Sequence, residues 1–492
     1  MTPGRTSVRK ALSLSFTRTL FSLAFNIATV TIVSRLLTPA EVGVFSVAVA
    51  LVSLVHMLRD FGVTELIIQE KNLSDELVRT VFTVTVAIAW FLAMLVFGFS
   101  DLVGKFYGDH GVARVMRVLS LVFVLMPFGT TTLACMKRDM RFGLLIKIQI
   151  TETAVRSITT IALAWLGFSY MSMAWASVAA AAVAVVGSAL FGGRYRVRGL
   201  GLTDWRRVLH FGSYRTVADV AKQVGEQSAN IVVGRMLGMP AAGFYSRGYG
   251  IVNIFRTSFV AAVGSVAFPA YAREHRENDA APALFRRSMV LLTGVSWPFF
   301  AFAVLMAYPI IHLAFGHQWD PAIPLMRWLC AAAMIGTLTY QVNGLLTAVG
   351  RYREVTGIEL RYQVVRIVLA VLAALHSLEA VAASQIIVYV VAVTLYYRKL
   401  VGYHALRLRV LVTALAPSAA LTAITSLAPA AVLAFWAGPI SAHYVPAFFV
   451  AASGSGLLWL AGIHLFRHPL AHEIRNALSK LRSRFKSSPR LG

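Results

Sequence analysis

The sequence has few charged residues, and this scarcity excludes most soluble proteins. Aspartate, glutamate, lysine and arginine make up 14% of the 492 residues, whereas soluble domains carry about 25%. Hydrophobic residues reach 58%, and the mean hydropathy is +0.70. A water-soluble core cannot hide that much apolar surface in a chain of this length. The composition therefore indicates an integral membrane protein.

Cysteine and long polar stretches are also scarce. Cys135 and Cys330 are the only cysteines; both lie in apolar runs and give neither a disulfide framework nor a zinc-ligand spacing. No segment between the apolar runs is long enough to fold as a separate catalytic domain. The N-terminus has basic residues before an apolar run, as a signal peptide does, but no cleavage site follows. We expect it to be retained as the first helix.

Acidic residues are outnumbered by basic ones, 21 against 46, which gives a net charge of +25. In a soluble protein this excess would suggest a nucleic-acid partner. Here the basic residues form short clusters in alternate loops between apolar runs, the pattern that orients membrane proteins with positive loops in the cytoplasm. We therefore expect no nucleic acid, and a multi-pass protein of the bacterial inner membrane with both termini cytoplasmic.

Fourteen apolar segments are long enough to cross a bilayer, which takes about 20 residues. An even number agrees with both termini on one side. Pro127, Pro298 and Pro417 lie inside predicted helices, where each removes a backbone hydrogen bond and permits bending. The predicted fold is an all-α membrane protein with 14 transmembrane helices. The segments are 11–37, 40–62, 78–100, 112–135, 143–167, 170–191, 206–237, 241–268, 284–314, 321–349, 355–375, 378–398, 409–436 and 443–466.

Three segments of the first half recur in the second half in the same order. The first pair, SRLLTPAEVGVFS and GRMLGMPAAGFYS, aligns without a gap. The offset between matched segments drifts only from 200 to 210, and the matches share arginine, glycine and tryptophan residues, so together they are specific. The matched pairs are 34–46 with 234–246, 77–90 with 284–297, and 141–156 with 351–366.

The repeat predicts how the chain is divided. Six helices separate equivalent segments, so both copies enter the membrane in the same direction and enclose a central cavity between two parallel-related lobes. The tail is expected to be either an amphipathic helix on the anionic membrane surface or disordered. The predicted divisions are an N-lobe of helices 1–6 at 1–198, a C-lobe of helices 7–12 at 199–402, helices 13 and 14 at 403–466, and a basic cytoplasmic tail at 467–492.

Ionisable residues inside the apolar segments are the candidate site residues. A charge at membrane depth costs at least about 2.5–3.5 kcal/mol, so it usually faces a cavity or a partner. The seventh helix carries five polar residues on one face, because their spacings are 4, 3, 4 and 4. They are Arg215, Asp219, Lys222, Glu226 and Asn230. Across the repeat, Arg18 aligns with Arg215 and Arg156 aligns with Arg366.

Two interpretations of these charges stay open. A basic, water-filled cavity would suit an anionic substrate. Alternatively, the seventh helix forms i,i+4 ion pairs that lock it to its neighbours, and Arg156 and Arg366 bond to backbone carbonyls. Lys147, Glu359 and Arg361 lie near helix ends and are expected to extend to the interface. The candidate cavity residues are Arg18, Arg156, Arg215, Lys222 and Arg366, with Asp219 and Glu226 as coupling or charge-pairing groups.

Three segments resemble a known family. They are SRLLTPAEVGVFSVA at 34–48, LRDFGVTELIIQEKNLSDELVRTVF at 58–82 and MKRDMRF at 136–142. The chain is similar over roughly residues 10–400 to Wzx-type polysaccharide exporters of the multidrug/oligosaccharidyl-lipid/polysaccharide flippase superfamily, in the branch related to colanic-acid exporters. The resemblance implies a MATE-like fold of two six-helix lobes plus extra helices.

The resemblance also implies a substrate and a mechanism. The chain would flip undecaprenyl-pyrophosphate-linked oligosaccharide repeat units by alternating access, for exopolysaccharide or lipopolysaccharide export, with the candidate arginines contacting phosphate or sugar. Expected partners are membrane lipids, a polysaccharide polymerase and a chain-length regulator. No cofactor or metal is expected, and coupling to H⁺ or Na⁺ stays open.

Other functions are weighed against this one. A lipid II flippase would use the same fold and a similar cationic cavity. A membrane polymerase or ligase would handle the same lipid-linked sugars, but such enzymes usually need a sizeable catalytic loop or domain. A multidrug extruder would favour an acidic or aromatic cavity, which the excess of arginine disfavours. The sequence therefore predicts a transporter rather than an enzyme.

Overall fold

The computed structural model is helical throughout the part of the chain that it describes. It describes residues 5–60, 63–70, 72–195, 199–203, 205–277, 281–400, 408–435, 444–475 and 479. The first nine α-helices are α1 (Arg5–Leu36), α2 (Pro39–Asp60), α3 (Val63–Gln69), α4 (Asp75–Tyr107), α5 (His110–Leu125), α6 (Pro127–Arg138), α7 (Phe142–Trp165), α8 (Met171–Gly192) and α9 (Trp205–Met236). The remaining elements are α10 (Met239–Phe255), a π-helical turn (Arg256–Val260), α11 (Ala261–Glu277), α12 (Ala281–Leu305), α13 (Ala307–Ala314), α14 (Ala322–Ala348), α15 (Tyr352–Ala374), α16 (Leu378–Leu400), α17 (Leu408–Phe435) and α18 (Tyr444–Leu465).

Each predicted membrane segment coincides with one helix or with helices that follow each other closely. Within the described ranges, eight helices are long and apolar enough to cross a bilayer, and nine spans result if the bent pair α5–α6 is one of them. The all-α, multi-pass membrane architecture is therefore confirmed. The count of 14 transmembrane helices stays a prediction.

Four helices of spanning length are not among those eight, namely α1, α7, α9 and α15. In α7, α9 and α15 charged residues lower the mean hydropathy. In α7 the charges are Lys147, Glu152 and Arg156, and in α15 they include Glu359 and Arg366. The helices that carry the candidate site residues are therefore the ones least suited to contact lipid on every side.

The structure corrects the sequence prediction in two places. The segment 63–77, predicted as a loop, contains the short helix α3. The segment 284–314, predicted as one span, is interrupted at Met306, where α12 ends and α13 begins. A hydropathy average over about 20 residues cannot resolve a helix of seven residues or a break of one residue, so it predicted neither α3 nor the interruption at Met306.

Pro127 bends its segment, as predicted. The helices α5 and α6 meet at an angle of 49°, with Met126 between them and Pro127 as the first residue of α6. Proline suits the first turn of a helix because its missing N–H has no intrahelical partner there. Pro298 and Pro417, by contrast, lie inside the continuous helices α12 and α17.

The start of α2 is fixed by local sequence. Thr38, Pro39, Ala40 and Glu41 form a capping box, in which the Glu41 carboxylate accepts from the Thr38 backbone N–H at 2.7 Å and the Thr38 hydroxyl accepts from the Glu41 N–H at 3.4 Å. Pro39 is the first residue of the helix. These four residues therefore turn the chain from α1 into α2.

The helices divide into two compact units. In the first unit α7 packs against α1 and α8, α4 against α5, and α2 against α9. In the second unit α12 packs against α14 and α17, and α17 packs against α18. The predicted lobe boundaries at 198 and 402 stay a prediction. The first unit comprises Met1–Ser246, Ala314–Gln318 and Arg366–Val381, and the second comprises Arg247–Leu313, Trp319–Val365 and Ala382–Gly492.

Within the first unit, the two copies of the repeat meet at their equivalent residues. The Ser46 hydroxyl donates to the Ser246 hydroxyl at 3.0 Å, and these serines are aligned in the repeat. A Cβ on Gly43 would lie 1.8 Å from the Met239 carbonyl oxygen, and a Cβ on Gly243 would lie 2.0 Å from the equivalent oxygen of Pro39. The N-terminal turns of α2 and α10 thus cross in reciprocal contact, as residues around a local twofold axis do.

The beginning of the predicted tail packs inside the second unit. His468 is buried, and its Nε2 lies 3.1 Å from the Ser418 hydroxyl of α17. Its ring also covers Gly294 of α12, where a Cβ would come within 2.4 Å of it. The amphipathic pattern predicted further along, at Leu478, Leu481 and Phe485, lies outside the described residues. The chain immediately after α18 is therefore part of the helix packing.

Gly336 of α14 provides a test of this packing. A Cβ at Gly336 would come within 2.7–2.9 Å of three atoms of the Tyr389 ring on α16, and that tyrosine is hydrogen-bonded to Tyr340. We expect Gly336→Ala to destabilise the purified protein by about 1–3 kcal/mol, the usual cost of overpacking. Thermal unfolding in detergent measures this as a lower melting temperature.

The matched control is Gly456→Ala in α18, where a Cβ would meet nothing within 4 Å. In an open helical position alanine is favoured over glycine by up to about 1 kcal/mol. We therefore expect this variant to melt at or above the wild-type temperature. Equal melting temperatures for the two variants would contradict the close contact at Gly336.

Candidate functional site

The polar faces of α1 and α7 meet inside the first unit. Arg18 of α1 is half-buried and donates from Nη1 to Oε1 of Gln149 on α7, at 2.5 Å. Gln149, Glu152 and Arg156 are spaced 3 and 4 residues apart, so they share one face of α7. The arginine predicted for the first helix therefore contacts the face of α7 that also carries Arg156, two turns from that residue.

Arg156 lies on the exposed part of this face. Its Nη2 is 3.1 Å from Oε1 of Glu152, one turn earlier, and 46% of its side chain is exposed. An ion pair within one helix fixes the guanidinium without consuming all five of its N–H donors. Arg156 can therefore hold an anion while remaining paired with Glu152.

Arg366, which aligns with Arg156 in the repeat, has a different environment. It is buried, with 6% of its surface exposed, in the part of α15 that belongs to the first unit. The two arginines occupy equivalent places in the sequence, but one is exposed beside a carboxylate and the other is enclosed. The repeat predicted their positions along the chain and not their surroundings.

The charged face of α9 is described only in its second half. Lys222 is exposed and Glu226 is half-buried, whereas the side chains of Arg215 and Asp219 lie outside the described residues. Gln223, beside Lys222, donates from Nε2 to the Ser53 hydroxyl of α2 at 3.0 Å. This bond fastens α9 to α2 and leaves Lys222 on the exposed surface of the first unit.

Other arginines of the apolar segments pack against aromatic rings. Arg59 of α2 is buried, with its guanidinium carbon 6.0 Å from the centre of the Phe123 ring. The guanidinium carbon of Arg235 lies 4.9 Å from the centre of the Phe106 ring, within the first unit. Such contacts stabilise an arginine against the face of the ring. These two residues therefore hold helices together.

Two arginines of the basic clusters, Arg138 and Arg207, form contacts within the first unit. Arg138 donates from Nη1 to the backbone carbonyls of Ile67 and Glu70, both at 2.5 Å, and so caps the C-terminal end of α3. Arg207 at the start of α9 forms an ion pair of 2.7 Å with the Glu70 carboxylate. Sequence reasoning used these residues only as positive loop charges, because their acceptors lie more than 60 residues away.

Glu359 is a candidate that sequence reasoning misjudged. Instead of extending from a helix end, its carboxylate accepts hydrogen bonds within the second unit from Tyr396 of α16 at 2.7 Å and Asn343 of α14 at 3.2 Å. Gln363 of the same helix donates to the other oxygen at 3.3 Å. Three helices are therefore joined through one carboxylate. No local pattern predicts this, since the two main donors lie 16 and 37 residues away.

These features define a class of protein. The chain is a multi-pass, all-helical membrane protein whose least apolar helices carry paired and partly exposed charges. Its fold is that of known transporters. A solved lipid II flippase, MurJ, aligns with a TM-score of 0.76 at 11% identity, covering 94% of this chain and 100% of that one. An inward-facing MATE family multidrug transporter aligns with a TM-score of 0.60 at 14% identity, covering 77% and 95%. The predicted MATE-like fold is confirmed.

The sequence narrows the class to a family. Residues 32–324 match the family model described as "Polysaccharide biosynthesis protein", and the chain belongs to that family. It is 22% identical to the lipopolysaccharide biosynthesis protein WzxC of Escherichia coli K12 over 335 residues, 68% of each chain. It is 26% identical to the succinoglycan biosynthesis transport protein ExoT of Rhizobium meliloti 1021 over 320 residues, 64% of each chain. The resemblance inferred from the three sequence segments is confirmed.

Tyr396 tests whether the Glu359 carboxylate holds the second unit together. Tyr396→Phe removes the shortest of the three hydrogen bonds to Glu359, together with a longer contact of 3.4 Å from Asn343. A hydrogen bond to a charged group contributes about 1.5–3 kcal/mol. We expect the purified variant to lose roughly that much stability, measured as a lower melting temperature in detergent.

The neighbouring residue provides the control. Within the described part of the chain, the Tyr397 hydroxyl donates to the Met289 sulfur at 3.1 Å, and a thioether is a weak acceptor. We expect Tyr397→Phe to melt within a degree or two of the wild type. If both variants behave alike, the carboxylate does not contribute as described.

Proposed function

We propose that this protein moves undecaprenyl-pyrophosphate-linked oligosaccharide repeat units across the bacterial inner membrane for exopolysaccharide or lipopolysaccharide export. Its family membership supports this, as do the names of its relatives, which act in lipopolysaccharide biosynthesis and succinoglycan transport. The observation that carries the proposal is the pair of charged faces on α1 and α7, joined through Arg18 and Gln149. Together they form a polar surface within an otherwise apolar bundle.

The chemistry of the substrate fits this surface. A pyrophosphate carries negative charge and the sugars carry hydroxyls, so both need partners when they leave water. Arginine offers several donors in a planar fork that matches phosphate oxygens. Arg18, Arg156, Arg215, Lys222 and Arg366 are the residues proposed to contact this headgroup. The isoprenoid chain needs no such partner and would remain in lipid.

Energy coupling is assigned to the acidic residues of α9. Asp219 and Glu226 would either orient Arg215 and Lys222 or bind the coupling cation, H⁺ or Na⁺. Alternating access would then carry the headgroup across while both termini remain in the cytoplasm. A polymerase and a chain-length regulator are the expected partners downstream. The protein itself would form and break no covalent bond.

A lipid II flippase is the second candidate, suggested by the alignment of 94% of the chain with MurJ. At 11% identity this likeness concerns the fold alone. The family match and the relatives named for polysaccharide biosynthesis favour the first candidate. The two functions differ in phenotype, because loss of the only lipid II flippase would stop growth whereas loss of a polysaccharide exporter would stop only the polymer.

Arginine variants test the proposal in cells that depend on this gene for polymer export. We expect Arg215→Ala and Arg366→Ala each to lower exported polymer roughly tenfold or more, since each removes charge-assisted hydrogen bonds of about 1.5–3 kcal/mol. Lipid-linked repeat units should accumulate facing the cytoplasm. Because Arg366 is buried, Arg366→Lys, which keeps the charge, should retain part of the export at equal protein level.

Arg273→Ala is the control. Arg273 lies near the end of α11, 69% exposed, and its Nε is 2.9 Å from the Glu277 carboxylate of its own helix. Its loss should leave export unchanged. Wild-type export by both Arg215→Ala and Arg366→Ala would rule out the proposed headgroup contacts. Accumulation of repeat units on the periplasmic side would indicate a polymerase or ligase instead.

A further inference from the structure

The turn between α13 and α14 brings two histidines and an aspartate together. His312 lies in the last turn of α13, His317 begins the short 3₁₀ helix that follows, and Asp320 comes shortly before α14. One nitrogen of each histidine and one carboxylate oxygen of the aspartate all lie within 4.8 Å of one another. All three residues belong to the continuous stretch 312–320, so the local turn sets their spacing.

We propose that His312, His317 and Asp320 form a binding site for one Zn²⁺ ion. Among the residues that the structure describes, they are the one group of three histidine, cysteine or acidic side chains close enough to hold a metal ion. The turn contains no lysine or arginine that would repel a cation, and the charge pattern predicts it to be periplasmic. The site is independent of the proposed transport function.

The donor atoms are spaced as one tetrahedral ion requires. Zinc holds histidine nitrogens and carboxylate oxygens at about 2.0–2.2 Å, so two donors on the same ion lie about 3.3 Å apart. The Nε2 of His312 and the Oδ1 of Asp320 are 2.6 Å apart, and no two of the three donors are separated by more than 4.8 Å. Small rotations of the exposed side chains therefore bring the donors to a common ion.

The backbone of the turn is well supported. Gly316 has a φ of +92°, in the left-handed region that glycine adopts without strain, and it lies directly before His317. Trp319 is fully buried, and the guanidinium carbon of Arg247 lies 5.5 Å from the centre of its ring. The segment that carries His317 and Asp320 is therefore held in place without the metal, as a preformed site needs.

The His312 ring is positioned by aromatic neighbours in the second unit. It stacks on Tyr308, with ring centres 4.1 Å apart, and Tyr444 at the start of α18 meets it edge-on at 5.5 Å. The side chain of His312 has no exposed surface, whereas 52% of the Asp320 side chain is exposed. One side of the site is therefore fixed by packing, and the other side is open to ions and water.

The donor set selects the class of metal. Magnesium and calcium prefer oxygen ligands, whereas two imidazoles and a carboxylate suit zinc. Three protein ligands also leave a fourth position, which water fills in open zinc sites. The spacing His-x₄-His-x₂-Asp matches none of the common zinc signatures, so sequence reasoning expected no metal. The signal for this site is the fold of the turn.

Zinc titration of the full-length protein tests the proposal. The protein is purified in detergent without a histidine tag, stripped with EDTA and dialysed. Calorimetric titration with Zn²⁺ should reveal one tight site per chain. Because an ion that binds only the folded state stabilises it, Zn²⁺ should also raise the melting temperature. Mg²⁺ should have neither effect.

Two variants remove one ligand each at exposed positions. Asp320→Asn retains an acceptor for the His312 ring but loses the carboxylate charge, and His317→Ala removes an imidazole. Loss of a group that only orients a metal ligand costs about 10–100-fold in affinity. We therefore expect each variant to bind Zn²⁺ at least tenfold more weakly and to lose the zinc-dependent rise in melting temperature.

His376→Ala is the matched control. His376 is another exposed histidine in a turn, between α15 and α16, and its loss should leave zinc binding unchanged. Weak zinc binding that is equal in the wild type and all three variants would overturn the site, because scattered surface histidines would then account for it. A tight site that survives in both ligand variants would also overturn it. Neither result bears on polymer export, so the two proposals can fail separately.

Discussion

A charge inside a bilayer must have a partner, and this requirement governs the polar residues of the described chain. Lipid offers no hydrogen bonds, so an ionised group either pairs within the protein or faces water. Arg18 pairs with Gln149, Arg156 with Glu152, and Glu359 with donors from α14 and α16. Each charge thereby joins helices or turns as well as being satisfied. These side chains therefore also determine which helices pack together.

Charged helices and apolar helices consequently differ in how much of their surface other helices cover. The charged helix α7 packs between α1 and α8 of the first unit. Apolar helices can instead present large side chains outward, as α4 does with Phe91, Met94 and Phe97, each more than half exposed. Exposed apolar residues would be a liability in water, whereas lipid is their natural solvent. The distribution of hydropathy among helices therefore separates those available to a polar path from those that contact the bilayer.

Features set by local sequence were predictable, and features set by distant neighbours were not. Apolar runs predicted where the helices lie, and Pro127 predicted the bend of 49°. The repeat aligned Ser46 with Ser246 in the sequence, and the fold brings the same two hydroxyls into contact. The capping of α3 by Arg138 and the hydrogen bonds of Glu359 depend on residues 16 to 71 positions away. A sequence pattern predicts which face of a helix a residue occupies. Only the packing of the helices determines which residues of other helices contact it.

The two copies of the repeat have equivalent surroundings where they touch each other, whereas aligned residues elsewhere have different surroundings. At the crossing, Gly43 packs on the carbonyl of Met239 while Gly243 packs on that of Pro39, so a larger residue in either copy would strike the other. Arg156 and Arg366 have no such mutual constraint, because each faces its own neighbours, and one is exposed while the other is buried. Physical contact between the copies, rather than shared ancestry alone, therefore explains why glycine and serine recur at the crossing. Away from it, each half is free to place a similar charge in an environment suited to a different task.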